Sequence, residues 1–192
     1  MAKEEIFFDI LFSQEQIEAR CKELGKQISE HYKDEPIVAV GILRGCYLFY
    51  SDLLKHIKSP ALIDYMYVSS YGDEKTSSGR VKIERDLQTD ITDKHILLID
   101  DIIDSGLTLA NLVELLKVRK PKSISIATML NKKCCRKIDI EVAFSGFDVD
   151  NHFLVGYGLD YKQYYRNMNF IGKLKTGMET ELEQYVNSLR KS

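Results

Sequence analysis

Ile17, Cys21, Leu24, Ile28 and Tyr32 recur every three to four positions, which sets them along one stripe of a helix over 14–32. Ser13, with Gln16 three residues on, supplies a capping-box start for it. After Pro36 the compact run IVAVGIL predicts a strand buried on both faces. GCYLFYSDLLKHI follows as a helix, and ALIDYMYVSS alternates into a second strand. Residues 71–79, YGDEKTSSG, hold two glycines and no large aliphatic side chain. With RVKIER alternating behind them, they read as a polar hairpin or loop between two extended arms. HILLID is the next buried strand. Leu109, Leu112, Val113 and Leu116 then mark one apolar face of a helix that Pro121 ends. SISIATML predicts another strand, IEVAF and HFLVGY two shorter ones, and 177–190 a charged, exposed helix.

Strand and helix alternate, and the strands are apolar throughout. That order predicts an α/β fold built on a largely parallel sheet, as one domain over 1–192. At 192 residues with 44% apolar positions, the core needs no disulfide support. The net charge of −2 and the pI near 6.1 argue against nucleic acid as an obligatory partner. No apolar run reaches spanning length, so no membrane segment is expected. The start MAKEEIFFDI carries two acids where a signal peptide has a basic region, which reads as cytoplasmic. Cys21, Cys46, Cys134 and Cys135 form no C-x-x-C pair, and the histidines are scattered. A structural zinc site is therefore not expected, and reduced thiols fit the cytoplasm.

The chemistry concentrates in ILLIDDIIDSGLTL, residues 96–109. In open α/β sheets, ligands bind beyond the carboxyl ends of strands, where Asp100 and Asp101 stand. The Ser105–Thr108 turn leads into a helix whose first N–H groups are unpaired, so it suits a phosphate. Gly106 lets the backbone approach closely. Asp104 or Ser105 could instead simply cap that helix. Two adjacent acids at a buried strand end are harder to explain as solvated bystanders. Carboxylates accept hydrogen bonds from sugar hydroxyls, so the stretch points to a sugar phosphate.

The stretch IDDIIDSGLT resembles the phosphoribosyl-pyrophosphate (PRPP) motif of type I phosphoribosyltransferases. LRGCYLF is similar to their pyrophosphate loop, SSYG to the start of a mobile catalytic loop, and VGYGLDYKQYYRN to the hood of hypoxanthine-guanine phosphoribosyltransferases. In that order the motifs cover about residues 5–175. The resemblance implies the type I phosphoribosyltransferase fold, a central mostly parallel twisted sheet flanked by helices. It also implies a small hood formed by the N-terminal segment and roughly 147–175.

The same resemblance implies Mg²⁺-dependent transfer of the 5-phosphoribosyl group from PRPP to N9 of a 6-oxopurine, hypoxanthine first and guanine next. Asp100 and Asp101 correspond to the acids that hold the ribose hydroxyls and its metal. Asp104 corresponds to the acid near N7, a general base. The amides of 104–108, with Ser105, Gly106, Leu107 and Thr108, would take the 5′-phosphate. Leu107 stands where some relatives have Lys, a minor departure because the amide makes the contact. Arg44, Gly45 and Arg166 would hold pyrophosphate, and the bond between Leu43 and Arg44 is often cis in such loops. Ser70 and Tyr71 would close over PRPP. Lys132 would donate to the 6-oxo group, Phe153 would stack on the base, and Leu154, commonly Val in relatives, would offer backbone contacts. Asp160 would line the purine site and bind Mg²⁺. Family members are usually homodimers or homotetramers.

Read without the resemblance, Arg44 is a charged turn residue, Phe153 a core aromatic, Lys132–Lys133 a solvated pair and 71–79 a surface hairpin. Two other classes share an acidic strand end. Aspartyl phosphatases need D-x-D, which Asp100–Asp101 does not supply, and receiver domains need a phosphoacceptor on a separate strand. A PRPP-sensing regulator would lose parts of the catalytic set and gain a basic face. This chain keeps Asp104, Tyr71, Lys132 and Asp160 and is slightly acidic.

Overall fold

The computed structural model describes residues 4–70 and 81–190. A single helical turn, α1 (Glu4–Phe7), leads into strand β1 (Phe8–Phe12). Helix α2 (Gln14–Tyr32) has the bounds its apolar spacing predicts. Its capping box forms: the Ser13 amide donates to Gln16 Oε1 at 2.9 Å, and the Gln16 amide donates to Ser13 Oγ at 3.4 Å. Strand β2 (Ile37–Leu43) is buried along nearly its whole length, as IVAVGIL requires. Helix α3 (Tyr47–Leu54) is shorter than its sequence run. Strands β3 (Ala61–Ser70) and β4 (Val81–Arg85) flank the segment 71–80, which lies outside the described residues.

Strand β5 (His95–Ile103) runs three residues past HILLID and takes in the paired acids. Helix α4 (Leu107–Lys117) buries Leu109, Leu112 and Leu116 and ends before Pro121 is reached. Strand β6 (Ser123–Asn131) is followed by a 3-10 turn, Lys133–Cys135. The IEVAF prediction needs correction, because β7 is Phe144–Asp148. Ile140 and Val142 are apolar because they pack against the core from a segment outside the sheet. HFLVGY yields only β8 (Leu154–Val155). Strand β9 (Ile171–Leu174) precedes helix α5 (Glu179–Leu189), whose Leu182 and Val186 are buried.

The chain divides into two compact units, and the boundary falls inside α2. The larger, residues 20–151, holds a six-stranded sheet in the order β4-β3-β2-β5-β6-β7. All its pairs are parallel except β3–β4. Its core joins Val38, Val40, Leu98 and Ile126 of the sheet to Leu109, Leu112 and Leu116 of α4. The smaller, residues 1–19 and 152–192, holds the antiparallel sheet β1-β9-β8. There Leu182 and Val186 of α5 pack with Phe7, Phe8 and Val155. No helix among the described residues is long and apolar enough to cross a membrane.

Candidate active site

Strand β5 outruns its neighbour. Its ladder with β2 ends at Gly41↔Ile99, whereas its ladder with β6 continues to Ile103↔Asn131. Asp100 and Asp101 stand on that overhang, and Asp104 follows it. The Asp101 amide donates to Asp100 Oδ1 at 3.1 Å. Burial first, and then the charge of Asp101, push the Asp100 carboxyl well above the usual carboxylate range. Such a pair favours a cation or hydroxyl donors beside it.

The loop after β2 comes directly against these acids. A Cβ built on Gly45 would lie 1.8 Å from Asp101 Oδ2, so any side chain there obliges the acid or the loop to shift. The Leu43–Arg44 peptide bond is cis. The Arg44 guanidinium lies 5.3 Å from the centroid of the Tyr67 ring, within cation–π range. Tyr67 carries no local signal in the sequence, where it is one more aromatic in an alternating strand.

The turn after Asp104 is built around Gly106, the N-cap of α4, at φ 80°. Its capping partner is not a side chain. Ser105 Oγ accepts from the Leu107 amide at 3.4 Å, and Thr108 lies in the first turn of α4. The first helical N–H is thus met by the Ser105 hydroxyl, while the N-cap glycine supplies no side-chain cap of its own. A Cβ at Gly106 would meet Arg136 Cδ and Ile140 Cγ2 at 3.1 Å each, in a backbone region that disfavours side chains.

Lys132 reaches this end through the sheet. Its amide donates to the Ile103 carbonyl at 3.0 Å. Its Nζ lies 3.2 Å from Asp104 Oδ1, with the lysine side chain 11% exposed and the aspartate 53%. A nearly buried ammonium thus sits beside an accessible carboxylate. Together they offer a donor and a proton acceptor at neighbouring points.

The remaining expected residues lie in the smaller unit. Phe153 is 46% exposed and meets Tyr161 edge to face, with centroids 5.7 Å apart. An open aromatic face braced by a second ring is available for stacking. Leu154 is buried and paired to Lys173 across β8–β9. Asp160 and Arg166 pair with each other at 2.6 Å. Asp160 Oδ2 also accepts from the Gln163 amide at 2.8 Å, and Arg166 Nη1 donates to the Gly158 carbonyl at 2.6 Å. The sequence offered separate duties for these two residues and no hint of their pairing. Tyr71 and the side chain of Ser70 lie outside the described residues.

The structure therefore brings together Asp100, Asp101 and Gly45, and separately Asp104 and Lys132. Among the described residues no group of three or more His, Cys, Asp or Glu side chains is gathered to hold a metal ion. A divalent cation at the paired acids would need oxygen atoms from a substrate. Magnesium commonly binds this way, through one or two carboxylates, substrate phosphates and water.

Residues 9–162 match the model of the phosphoribosyl transferase domain. The chain is 51% identical over 166 residues to the hypoxanthine-guanine phosphoribosyltransferase of Bacillus subtilis, covering 86% of this chain and 92% of that one. The chain belongs to the hypoxanthine-guanine phosphoribosyltransferase family. Another phosphoribosyltransferase it resembles is the hypoxanthine phosphoribosyltransferase of Salmonella typhimurium, 44% identical over 168 residues, with 86% and 94% covered. Among solved structures, a hypoxanthine phosphoribosyltransferase from Staphylococcus aureus superposes with a TM-score of 0.89 at 42% identity, over 93% of this chain and 97% of that one. The six-stranded sheet with its overhanging β5 is thus the fold of type I phosphoribosyltransferases.

Proposed function

We propose that this phosphoribosyltransferase transfers the 5-phosphoribosyl group of PRPP to N9 of hypoxanthine, and of guanine, giving IMP or GMP and pyrophosphate. One observation carries the reading: Asp104 and Lys132 stand 3.2 Å apart where the overhang of β5 meets the glycine turn. A 6-oxopurine presents a carbonyl for the ammonium and a ring nitrogen for the carboxylate. A ribose phosphate attached beside it would reach the turn.

In this reading the bond from C1 of the ribose to pyrophosphate breaks and the bond to N9 forms, through a transition state like an oxocarbenium ion. Asp104 takes the proton that the purine gives up. Asp100 and Asp101 hold the ribose hydroxyls. The amides of 104–108, with the Ser105 and Thr108 hydroxyls, hold the 5′-phosphate at the positive end of α4. The Arg44 and Gly45 amides and the Arg166 side chain hold pyrophosphate. Phe153 stacks on the base, a contact worth about 1–3 kcal/mol in related settings. Leu154 offers its backbone to the base edge. Ser70 and Tyr71 close over the reactants and exclude water.

Asp160 would bind a Mg²⁺ that also holds pyrophosphate, and Asp100 and Asp101 would bind metal in their own right. Mg²⁺ bound with substrate oxygens would offset the charge of departing pyrophosphate. The upward push on the Asp100 carboxyl, from burial and from the charge of Asp101, supports this, because a cation beside the pair would offset both. We place the reaction in the cytoplasm, in a homodimer or homotetramer, with a hood formed by the N-terminal segment and roughly 147–175.

The protein is mixed with PRPP, Mg²⁺ and each purine base in turn, and nucleotide formation is followed by absorbance. Hypoxanthine should give product, and magnesium removal should abolish it. Failure of every 6-oxopurine to react would overturn the proposal. Asp104→Asn should slow turnover by about 10²–10⁴-fold, the usual weight of one general base, while calorimetry finds PRPP binding intact. Unchanged turnover removes Asp104 from the base role.

A further inference from the structure

The turn that follows Lys132 carries two groups that the proposed reaction does not use. Lys133–Cys135 forms a 3-10 turn with Lys132 as its N-cap. Cys134 is exposed and Cys135 half-buried, with their Sγ atoms 3.7 Å apart. The other two cysteines, Cys21 and Cys46, are buried. We propose that Cys134 and Cys135 form an oxidation site, closing to a vicinal disulfide on meeting a hydroperoxide and thereby drawing Lys132 away from Asp104. The second half of this inference rests on the roles proposed for those two residues.

The chemistry balances within the pair. The exposed Cys134 sulfur, as thiolate, attacks the peroxide O–O bond and becomes a sulfenic acid, while the distal oxygen leaves as water or an alcohol. The Cys135 sulfur then attacks the sulfenic sulfur, the S–S bond forms, and a second water departs. Two thiols lose two electrons and two protons, and the hydroperoxide accepts them. With the partner sulfur already adjacent, the sulfenic acid is captured before further oxidation.

Closure has to move the backbone. Consecutive Cα atoms are about 3.8 Å apart, whereas disulfides usually span about 4.4–6.8 Å. An eight-membered ring between neighbours therefore twists the intervening peptide out of its 3-10 geometry. That geometry is held by the Cys135 amide donating to the Lys132 carbonyl at 3.1 Å and the Arg136 amide donating to the Lys133 carbonyl at 3.3 Å. Both ends of the turn are anchored beside the phosphate loop. Lys132 donates its amide to Ile103, and Lys137 donates its amide to the Ser105 carbonyl at 3.0 Å. A twist inside the turn is consequently delivered to the Lys132 side chain. The same poor fit makes the bond easy to reduce, so a small dithiol reverses it.

The test treats the whole protein with excess hydrogen peroxide and cleaves before aspartate. The fragment Asp104–Ile138 contains Cys134 and Cys135 and no other cysteine. It should lose the mass of two hydrogens, and dithiothreitol should restore it. The KM for hypoxanthine should rise about tenfold on oxidation, as for one lost charge-assisted hydrogen bond, and recover on reduction. Cys134→Ser and Cys135→Ser should keep full activity before and after peroxide. The oxidation site is overturned if the fragment keeps its mass or gains only oxygen at its cysteines. The coupling to Lys132 is overturned if the disulfide forms with KM unchanged, or if the serine variants lose activity as fast as the parent. Because the mass reading needs no turnover, it also separates failure of this site from failure of the proposed reaction.

Discussion

A missing methyl group at position 45 decides where Asp101 can rest. With a Cβ placed 1.8 Å from its carboxylate oxygen, either the acid or the loop must shift. Gly45→Ala should therefore lower kcat/KM by about 10²-fold, the usual cost of an ångström-scale misplacement, with near-UV circular dichroism unchanged. Activity within a factor of two would show that the loop absorbs the methyl. Sequence reasoning reached Gly45 through a short motif beside Arg44. Its contact with a residue on another strand is tertiary and leaves no local trace. The same holds for Tyr67 beneath Arg44 and for the pairing of Asp160 with Arg166. Asp104 was legible beside the glycine turn, whereas Lys132, by itself one of a solvated pair, was reached only through the family resemblance. Their mutual contact needed the register of β5 and β6.

At the scale of elements, periodicity was enough wherever one face is buried and the run is long. Helix α2 and strands β2 and β3 have the expected bounds for that reason. The prediction failed at β7, where apolar Ile140 and Val142 face the core without joining a ladder. Strands β1 and β9 left little pattern, being short and partly exposed, and were not foreseen. Asp64 ties β3 to the segment after β4. Its Oδ2 accepts from the Gln88 and Thr89 amides at 2.9 and 2.7 Å, and its Oδ1 accepts from the Tyr65 amide at 2.8 Å. Burial opposes its ionisation, but these donors outweigh burial and hold its carboxyl below the usual range. Its folded pKa is depressed, so the stabilisation is present above the unfolded value, about 3.9, and is lost as pH falls through the folded one. Asp64→Asn should cost about 3 kcal/mol at neutral pH, seen as a Tm lower by roughly 6–12 °C. The gap between variant and parent should narrow in acid; a gap that stays constant from neutral to acid pH would contradict the assignment.

For the molecule as a whole, the alternation of strands and helices gave the class of fold, and four ordered motifs gave the family. The partition into two units was less visible, since the smaller one gathers both ends of the chain. Helix α5 was expected to be exposed, yet Leu182 and Val186 are fully buried with Phe7, Phe8 and Val155. Leu182→Ala should cost about 2–5 kcal/mol, read as a lower urea midpoint, and an unmoved midpoint would mean the helix is dispensable to its unit. The β5–β6 ladder has a consequence for how the gene can vary in length. The spacing between Asp104 and Lys132 is measured by paired strands, not by the helix between them. Insertions near 118–122 are spliced into a connection that the ladder ignores. A single-codon deletion within 123–131 reverses which side chains face the core and shifts the lysine off its mark. Length tolerance should thus change abruptly at Ser123, and the boundary belongs to strand register.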